Sequence, residues 1–198
     1  MKKIVLVGDS IRMGYQAYVR KELSGLSDVW TPEPNGGNST NIQKHLNEWI
    51  ISQAADVVHI NCGLHDLKRD FGADETVIPL LQYQANLRDF LERTLQETQS
   101  TVVWATTTPV NEIWHRQRKG FDRLESDVVA YNDVSVEVAQ EFGVLINDLF
   151  QVIVDAGRDN YLSPDGVHFT ADGCDLLGKS VVDYVNRYFV SKPGDRCR

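Results

Sequence analysis

Three residues near opposite ends of the sequence have the types that nucleophilic catalysis requires. Ser10 follows the apolar run KIVLV and a Gly-Asp pair, whereas Asp165 and His168 lie three residues apart in SPDGVHFT. A serine hydroxyl is a poor nucleophile until a neutral imidazole takes its proton and a carboxylate orients that imidazole. The sequence therefore predicts a serine nucleophile with an aspartate-oriented histidine base, provided that the fold joins the two ends of the chain.

Each part of this set also has an ordinary structural interpretation. Ser10 is as typical of a helix N-cap as of a nucleophile. Asp165-Gly166 is a common turn dipeptide, in which His168 would be a half-buried loop residue. Only the combination favours catalysis, because three weak signals then point to one mechanism.

Two glycine-containing segments carry candidates for stabilising negative charge. Gly36 and Gly37 precede a predicted helix start in NGGNST, where a backbone N–H without a flanking side chain can approach an oxyanion closely. A plain turn before a capped helix explains the same segment. The second segment, GLHD (63–66), follows a buried strand and places His65 beside Asp66. From its type alone, His65 can be a metal ligand, a proton carrier or a hydrogen-bond donor.

Short β-branched runs alternate with longer amphipathic segments, and these elements must position the candidate residues. The predicted strands are 3–8, 29–30, 56–62, 101–107 and 144–148. The predicted helices lie near 12–24, 40–54, 79–98, 123–142 and 171–190. Apolar strands separated by helices are typical of βαβ units, so the sequence predicts a three-layer α/β/α sandwich with a parallel sheet. One domain is expected over 1–190, and the tail 191–198 is expected to fray.

The predicted sheet brings the candidate residues to one edge. In open parallel sheets, ligands bind beyond the carboxyl ends of the strands. The turn that carries Ser10 and the segments NGGNST and GLHD all follow predicted strand ends. The segment SPDGVHFT precedes the last helix and can fold back over the same edge.

Composition argues against several classes of function. A net charge of −8 disfavours a nucleic-acid partner, which would need a basic face. The three cysteines are scattered and make neither a disulfide framework nor a zinc site. No segment approaches the ~18 apolar residues of a membrane span, and the apolar run after Met1-Lys2-Lys3 is too short for a signal peptide. The expectation is a cytoplasmic protein without a membrane span, and composition carries no signal for the oligomeric state.

The motifs together resemble those of the SGNH hydrolases, the superfamily of GDSL-type esterases and lipases. VLVGDSIRMG resembles the first block of that family, NGGNST the second and SPDGVHFT the fifth. With TTTP (106–109), the likeness spans about residues 3–190. The resemblance implies a flavodoxin-like five-stranded parallel sheet, hydrolysis of esters, and no metal or cofactor. It makes Ser10 the nucleophile and gives it two partners, Asp165 and His168.

The third block departs from the family pattern, which reads Gly-x-Asn-Asp. This chain has Gly63-Leu64-His65-Asp66 instead. In the family the Asn side chain donates a hydrogen bond to the oxyanion, and an imidazole N–H can do the same. The resemblance therefore implies that His65 replaces the Asn as a donor. Supporting roles are expected for Asp9, Gly63 and Asp66, the last by ordering its own loop.

Two backbone N–H groups complete the oxyanion hole of the family. One comes from the nucleophilic serine and the other from the second-block glycine. They correspond here to Ser10 and Gly37, with Gly36 as the alternative glycine. The oxyanion hole implied by the resemblance therefore consists of Ser10, Gly37 and His65.

Three other classes of protein fit parts of the pattern. A metallophosphoesterase shares a segment like GLHD, but it needs an Asp-x-His after the first strand and a Gly-His-x-His near the C-terminus, and this sequence has neither. An α/β-hydrolase needs Gly-x-Ser-x-Gly, where this chain has GDSIR (8–12). A non-catalytic flavodoxin-like binding module is compatible with the fold alone.

The substrate is indicated only by weaker patterns. Segments 67–79 and 110–122 are candidate lids, although a solvated charged loop also explains the second. Possible substrate contacts are Arg12, Trp114 and Arg116, since aromatic and cationic groups can bind a sugar ring or an acidic leaving group. No long apolar stripe indicates an acyl-chain tunnel. The expected substrates are small-molecule or carbohydrate esters of short acyl groups, such as O-acetyl sugars, with lysophospholipase or thioesterase activity as the alternative.

Overall fold

A five-stranded parallel sheet forms the centre of the computed structural model, which describes residues 1–187. The strands of the described residues, which form this sheet and a smaller two-stranded one, are β1 (Lys2–Val7), β2 (Ser27–Trp30), β3 (Val57–Ile60), β4 (Arg69–Asp70), β5 (Thr101–Ala105), β6 (Phe121–Asp122) and β7 (Leu145–Asn147). The main sheet has the order β2-β1-β3-β5-β7, and every neighbouring pair in it is parallel. This is the flavodoxin-like strand order, so the predicted fold class is confirmed.

Helices cover both faces of this sheet. They are α1 (Ser10–Glu22), α2 (Ser39–Lys44), α3 (Leu46–Trp49), α4 (Leu80–Glu97), α5 (Glu112–Arg116), α6 (Glu125–Glu141), α7 (Leu149–Ala156) and α8 (Ala171–Val185), with 3₁₀ turns at Ile51–Gln53 and Arg158–Asn160. The helices form two groups. In the first, α8 packs against α1 and α7, and in the second, α4 packs against α6 and α2. All four residues of β3 are buried, as expected for a strand with helices over both faces.

The predicted boundaries differ from the structure in several places. The helix expected near 40–54 is two short helices and a 3₁₀ turn, because the chain turns at His45 and reaches a left-handed residue at Ala54 (φ 47°). The helices α5 and α7 were not predicted from the sequence, since both are short, with five and eight residues. The strands β3 and β5 end two residues early, and the residues beyond them form the turns of the candidate site.

The two segments predicted as lids pair with each other. Arg69 and Asp70 of β4 form an antiparallel ladder with Asp122 and Phe121 of β6. Arg69 also makes two hydrogen bonds to the carboxylate of Asp127 at the start of α6, at 2.7 and 2.6 Å. The segments therefore form a small ordered sheet that is anchored to the main body of the protein.

The C-terminal helix α8 closes the described part of the fold. The end of the helix predicted near 171–190 and the tail predicted at 191–198 lie from residue 188 onward, outside the described residues. Within residues 1–187, no helix is both long enough and apolar enough to cross a membrane.

Candidate active site

Ser10 is the first residue of α1, immediately after the carboxyl end of β1. The helix is capped by Asp9, whose Oδ1 accepts a hydrogen bond from the Ile11 N–H at 2.9 Å. Ser10 is therefore not the N-cap, and its hydroxyl is not needed to complete the helix. The Oγ of Ser10 instead lies 2.9 Å from Nε2 of His168. The hydroxyl thus sits at a helix N-terminus, where backbone N–H groups and the helix dipole favour negative charge.

His168 joins this serine to a carboxylate. Its Nδ1 lies 2.6 Å from Oδ2 of Asp165, while Oδ1 accepts the backbone N–H groups of Val167 and His168 at 3.1 and 3.0 Å. A carboxylate can only accept, so Nδ1 carries the proton and Nε2 is free to accept the Ser10 hydroxyl. Burial raises the pKa of Asp165, but the hydrogen bonds from His168 and Val167 outweigh burial and lower this pKa to about 2. The aspartate is therefore ionised at neutral pH.

The loop that holds Asp165 and His168 is fixed from two sides. Gly166 has φ +73°, and a Cβ at this position would lie 2.4 Å from the backbone oxygen of Asn111. His115 is fully buried beneath the loop, and its Nδ1 lies 3.3 Å from the backbone oxygen of Asp165. Its contact with the loop backbone depends on α5, which the sequence did not predict.

Asp9 lies fully buried beside these groups. Desolvation raises its pKa, against the lowering effects of the Ile11 N–H and of the nearby His65, Arg123 and His168. Within residues 1–187 its Oδ2 has no hydrogen-bond partner. Asp9 therefore caps α1 and also places a partly compensated carboxyl group under the site, in line with a supporting role.

The two glycines predicted as oxyanion donors have different surroundings. The Gly36 N–H donates to the backbone oxygen of Gly8 at 3.0 Å, and a Cβ on Gly36 would lie 2.6 Å from that oxygen. Gly37 has φ +65°, and its N–H donates to the side-chain Oδ1 of Asn35 at 2.8 Å. A side chain can rotate away from a ligand far more easily than a packed backbone can move. Gly37 is therefore the glycine whose N–H can be released.

His65 is half-buried at the end of β3, in a loop that depends on Gly63. Gly63 has φ +154°, and a Cβ there would lie 2.2 Å from the hydroxyl of Thr107. Desolvation lowers the pKa of His65, the nearby Asp9 raises it, and Arg123, His168 and Lys68 lower it further. The net shift is downward, so the imidazole is neutral at pH 7 and has one N–H to donate. Within residues 1–187 no side-chain hydrogen bond engages this ring.

Asp66 connects the GLHD loop to the start of α2. Its Oδ1 accepts the backbone N–H of Ser39 at 2.9 Å and also accepts the Ser39 hydroxyl, which in turn accepts a hydrogen bond from Asn86 at 2.8 Å. Burial raises the pKa of Asp66 to about 7, although the Ser39 hydrogen bonds lower it. The carboxyl group thus holds two loops of the site in register, as expected for a residue that orders its loop.

Arg12 does not face a substrate. It is fully buried, and its guanidinium donates to the backbone oxygen of Pro34 at 2.9 Å, to that of Gly8 at 3.3 Å and to the side chain of Gln16 at 2.6 Å. The side chain therefore ties the first-block turn to the segment before Gly36. The prediction that Arg12 contacts substrate is wrong, because its donors are already used inside the protein.

The other two predicted substrate contacts lie on α5, at the outer side of the site. Trp114 is half-buried and lines a cavity of about 290 Å³ together with Arg118, Leu162 and Pro164. This cavity is adjacent to the loop that carries Asp165. Arg116 is exposed and pairs with Asp122 at 2.8 Å. Trp114 therefore borders a cavity beside the site, whereas Arg116 supports the small sheet.

Two cations near the site were not among the predicted site residues. The Nζ of Lys119 lies 3.7 Å from Oδ2 of Asp165. The Nε of Arg123 donates to the backbone oxygen of Leu64 at 2.6 Å, next to His65 in the chain. No local pattern marks Arg123 in the sequence, because its position depends on the pairing of β4 with β6.

The arrangement can abstract a proton from Ser10 and donate hydrogen bonds to a developing oxyanion. Among residues 1–187, no group of three or more His, Cys, Asp and Glu side chains is placed to hold a metal ion. The buried His59 lies inside the sheet, where desolvation lowers its pKa to about 4, and His45 stacks on Trp49. Neither of these histidines takes part in the candidate site.

Comparison with known families agrees with this geometry. The model of the GDSL-like lipase/acylhydrolase family matches residues 6–176, which is most of the chain. The chain belongs to this family. Its resemblance to the SGNH hydrolases, inferred from four short motifs, is thereby confirmed.

Similar curated proteins carry esterase names. The chain is 32% identical over 121 residues to isoamyl acetate-hydrolyzing esterase 1 homolog from Mus musculus, covering 52% of this chain and 48% of that protein. It is 30% identical over 124 residues to the Homo sapiens homolog, covering 59% of this chain and 50% of that protein. The chain thus spans about half the length of the curated relatives it matches.

Solved structures show the same fold along nearly the whole chain. A lipase/acylhydrolase from Enterococcus faecalis superposes with a TM-score of 0.78 at 23% identity, covering 97% of this chain and all of that one. An acetylxylan esterase from Geobacillus stearothermophilus superposes with a TM-score of 0.74 at 19% identity, covering 96% of this chain and 97% of that one. At these identities the likeness shows the fold alone.

Proposed function

We propose that this protein is a serine esterase that hydrolyses carboxylic esters of short acyl groups through an acyl-enzyme. The observation that carries the proposal is the unbroken chain of contacts from Ser10 Oγ to His168 Nε2 and from His168 Nδ1 to Asp165, at 2.9 and 2.6 Å. Nucleophile, base and orienting carboxylate are each within hydrogen-bond reach of the next. A flavodoxin-like binding module would have no need for this alignment.

In the proposed reaction, Ser10 attacks the ester carbonyl while His168 takes the hydroxyl proton at Nε2. Asp165, ionised at neutral pH, holds the imidazole in the required tautomer and stabilises the imidazolium. The tetrahedral intermediate collapses as His168 returns the proton to the leaving alcohol, which leaves an acyl group on Ser10. Water then attacks this acyl-enzyme by the same steps and releases the acid.

The oxyanion would be stabilised by three donors, one each from the start of α1, the NGGNST loop and the GLHD loop. The Ser10 N–H lies at the helix N-terminus, the Gly37 N–H can be released from Asn35, and the neutral His65 contributes its ring N–H. Each such donor is worth several kcal/mol only if it is in place before charge develops. The Ser39–Asp66 hydrogen bonds would provide that order by fixing the second and third blocks against each other.

For the substrate, we propose an O-acetyl ester of a sugar or a similarly small alcohol. The similar proteins are named for isoamyl acetate and acetylxylan, and both names denote acetyl esters of otherwise different alcohols. The cavity of about 290 Å³ beside Trp114 could take a sugar ring against the indole. Lysophospholipase or thioesterase activity is the alternative, and it would require room for a long acyl chain.

The direct test is a panel of p-nitrophenyl esters from acetyl to octanoyl, assayed beside acetylated xylo-oligosaccharides, isoamyl acetate and an acyl-CoA. The expected result is highest kcat/KM for the acetyl ester, with no turnover by Ser10→Ala. Labelling of the wild-type protein by a fluorophosphonate, blocked in Ser10→Ala, reports the nucleophile independently of substrate choice. An unreactive wild-type protein would support the binding-module interpretation instead.

A further inference from the structure

Arg123 is a buried cation whose guanidinium has a single hydrogen-bond acceptor among the described residues. Only 7% of the residue is exposed, and its Nε donates to the backbone oxygen of Leu64 at 2.6 Å. Within residues 1–187, no carboxylate lies within 4 Å of the guanidinium, and its two Nη groups donate to no acceptor. Buried charges in proteins are ordinarily paired with an opposite charge. Arg123 thus keeps the donor end of its guanidinium without an anionic partner.

This guanidinium interacts electrostatically with groups in three loops of the proposed active site. Its electrostatic neighbours are Asp9 in the turn before Ser10, His65 in the GLHD loop and Asp165 in the SPDGVHFT loop. Asp9 and Asp165 are close enough to interact with the charge but too distant to form an ion pair with it. The guanidinium therefore lies beside the GLHD loop, through Leu64, and within electrostatic reach of the other two loops that would surround a bound ester.

Two lysines near these groups add to the positive charge of Arg123, against the negative charge of Asp9 and Asp165. Phe121 of β6 has the Arg123 guanidinium 5.0 Å from its ring centroid and the Lys68 ammonium 4.3 Å from the same centroid. The Lys119 ammonium lies 3.7 Å from the carboxylate of Asp165, which is itself an electrostatic neighbour of Arg123. The aromatic face compensates the two cations only in part. In a chain whose net charge is −8, three cations lie around one site, and Asp9 and Asp165 balance their charge only in part, since burial raises the pKa of Asp9. A bound anion would balance the rest.

We propose that Arg123, assisted by Lys68 and Lys119, binds a carboxylate carried by the ester substrate. The free Nη edge of a guanidinium matches a carboxylate with two parallel hydrogen bonds. This inference rests on the proposed esterase function, and the short acyl group expected there has no room for a second charged group. The carboxylate therefore belongs to the alcohol part, as in an O-acetylated acidic sugar or another hydroxy acid.

The test compares two esters of the same size that differ in charge. These are 4-acetoxybenzoate and 4-acetoxybenzamide, with each kcat/KM divided by the rate of hydroxide-catalysed hydrolysis to remove leaving-group effects. The wild-type protein should prefer the anion by about tenfold to a hundredfold, the range expected for hydrogen bonds to charged groups. Arg123→Gln should abolish this preference, and Arg123→Lys should retain part of it. The matched control is Arg93→Gln, which removes a partly exposed arginine paired with Glu97 on α4 and should leave the preference unchanged.

The ratio of the two esters separates binding from structural damage. Because Arg123 also holds the Leu64 backbone, Arg123→Gln can slow both esters equally, and an unchanged ratio would then overturn the proposal and make Arg123 a positioning residue. If the variant does not fold, the wild-type protein still provides a test. Benzoate should inhibit competitively, and added salt should slow only the anionic ester. If both esters are hydrolysed and 4-acetoxybenzoate is not preferred over 4-acetoxybenzamide, this inference alone is refuted. If neither ester is hydrolysed, the proposed esterase function is refuted.

Discussion

Replacement of His65 tests whether its imidazole serves as the oxyanion donor in place of the Asn amide that the family has at this position. We expect His65→Ala to lower kcat while leaving KM little changed, because the hydrogen bond would tighten only as charge develops in the transition state. His65→Asn supplies the amide that the family carries at this position, so it should recover much of the lost rate.

The magnitude follows from the surroundings of the ring. Burial and the neighbouring cations lower the pKa of His65, so the imidazole is neutral at pH 7 and offers one N–H. No side-chain acceptor within residues 1–187 competes for that N–H. Loss of one oxyanion donor in a desolvated site costs about 10²–10³ in kcat, or roughly 3–4 kcal/mol. His65→Ala should fall in this range.

The assay is steady-state hydrolysis of p-nitrophenyl acetate by the wild-type protein, His65→Ala and His65→Asn, with metal content measured on each preparation. A matched control is His45→Ala, since this ring stacks on Trp49 and lies outside the candidate site. The control should retain its kcat.

Two outcomes would contradict the donor role. If His65 were a general base, Asn would be no better than Ala, because an amide cannot take a proton. If it were a metal ligand, both replacements would remove a metal that the wild-type protein contains. Equal and severe losses in the two variants would therefore refute the reasoning.

Three further predictions follow from the site. Ser10→Ala and His168→Ala should each cost on the order of 10⁴-fold or more in kcat, with the double variant scarcely slower, and losses that multiply would contradict their action as one unit. Turnover should survive dialysis against a chelator, since the proposed mechanism uses no metal, and activity restored by zinc or manganese would favour a metallophosphoesterase. Asp66 has a pKa raised from 3.8 to about 7, so the folded state retains a proton that the unfolded chain loses, and stability should fall as the pH rises between these values. Relative to Asp66→Asn, the wild-type free energy of unfolding should decrease by about 4 kcal/mol over this window in urea titrations, and parallel pH profiles would exclude the shift.

The fold class could be read from the sequence because it depends on repeated local patterns. The runs IVLV (4–7), VVHI (57–60) and VVWA (102–105) are apolar apart from His59, which is how strands buried on both faces are encoded. The boundaries were less predictable. The segment after Ser39 has helical spacing throughout, yet the chain turns at His45, and this break is determined by packing and not by propensity.

In the candidate site, too, some residues could be predicted from the sequence and others could not. Ser10, Gly37, His65, Asp165 and His168 were identifiable because each lies in a short motif with a known spacing from a strand or helix end. The error at Arg12 has a physical cause, since a guanidinium one turn into α1 can equally face solvent or the adjacent loop. Packing against Gly8 and Pro34 decided between them.

By itself, the sequence determined the alternation of the five main strands with the longer helices, the family of the chain and the residue types of a Ser-His-Asp site, because these are encoded in local periodicity and short motifs. Tertiary structure alone decided that Asp9, and not Ser10, caps α1, and that the Gly37 N–H donates to the side chain of Asn35. It also decided that Arg123 is buried beside the GLHD loop without a carboxylate partner among the described residues. These features depend on contacts between residues far apart in the chain. Burial and charge at such contacts are set by all the surrounding elements together, and no local pattern in the sequence records them.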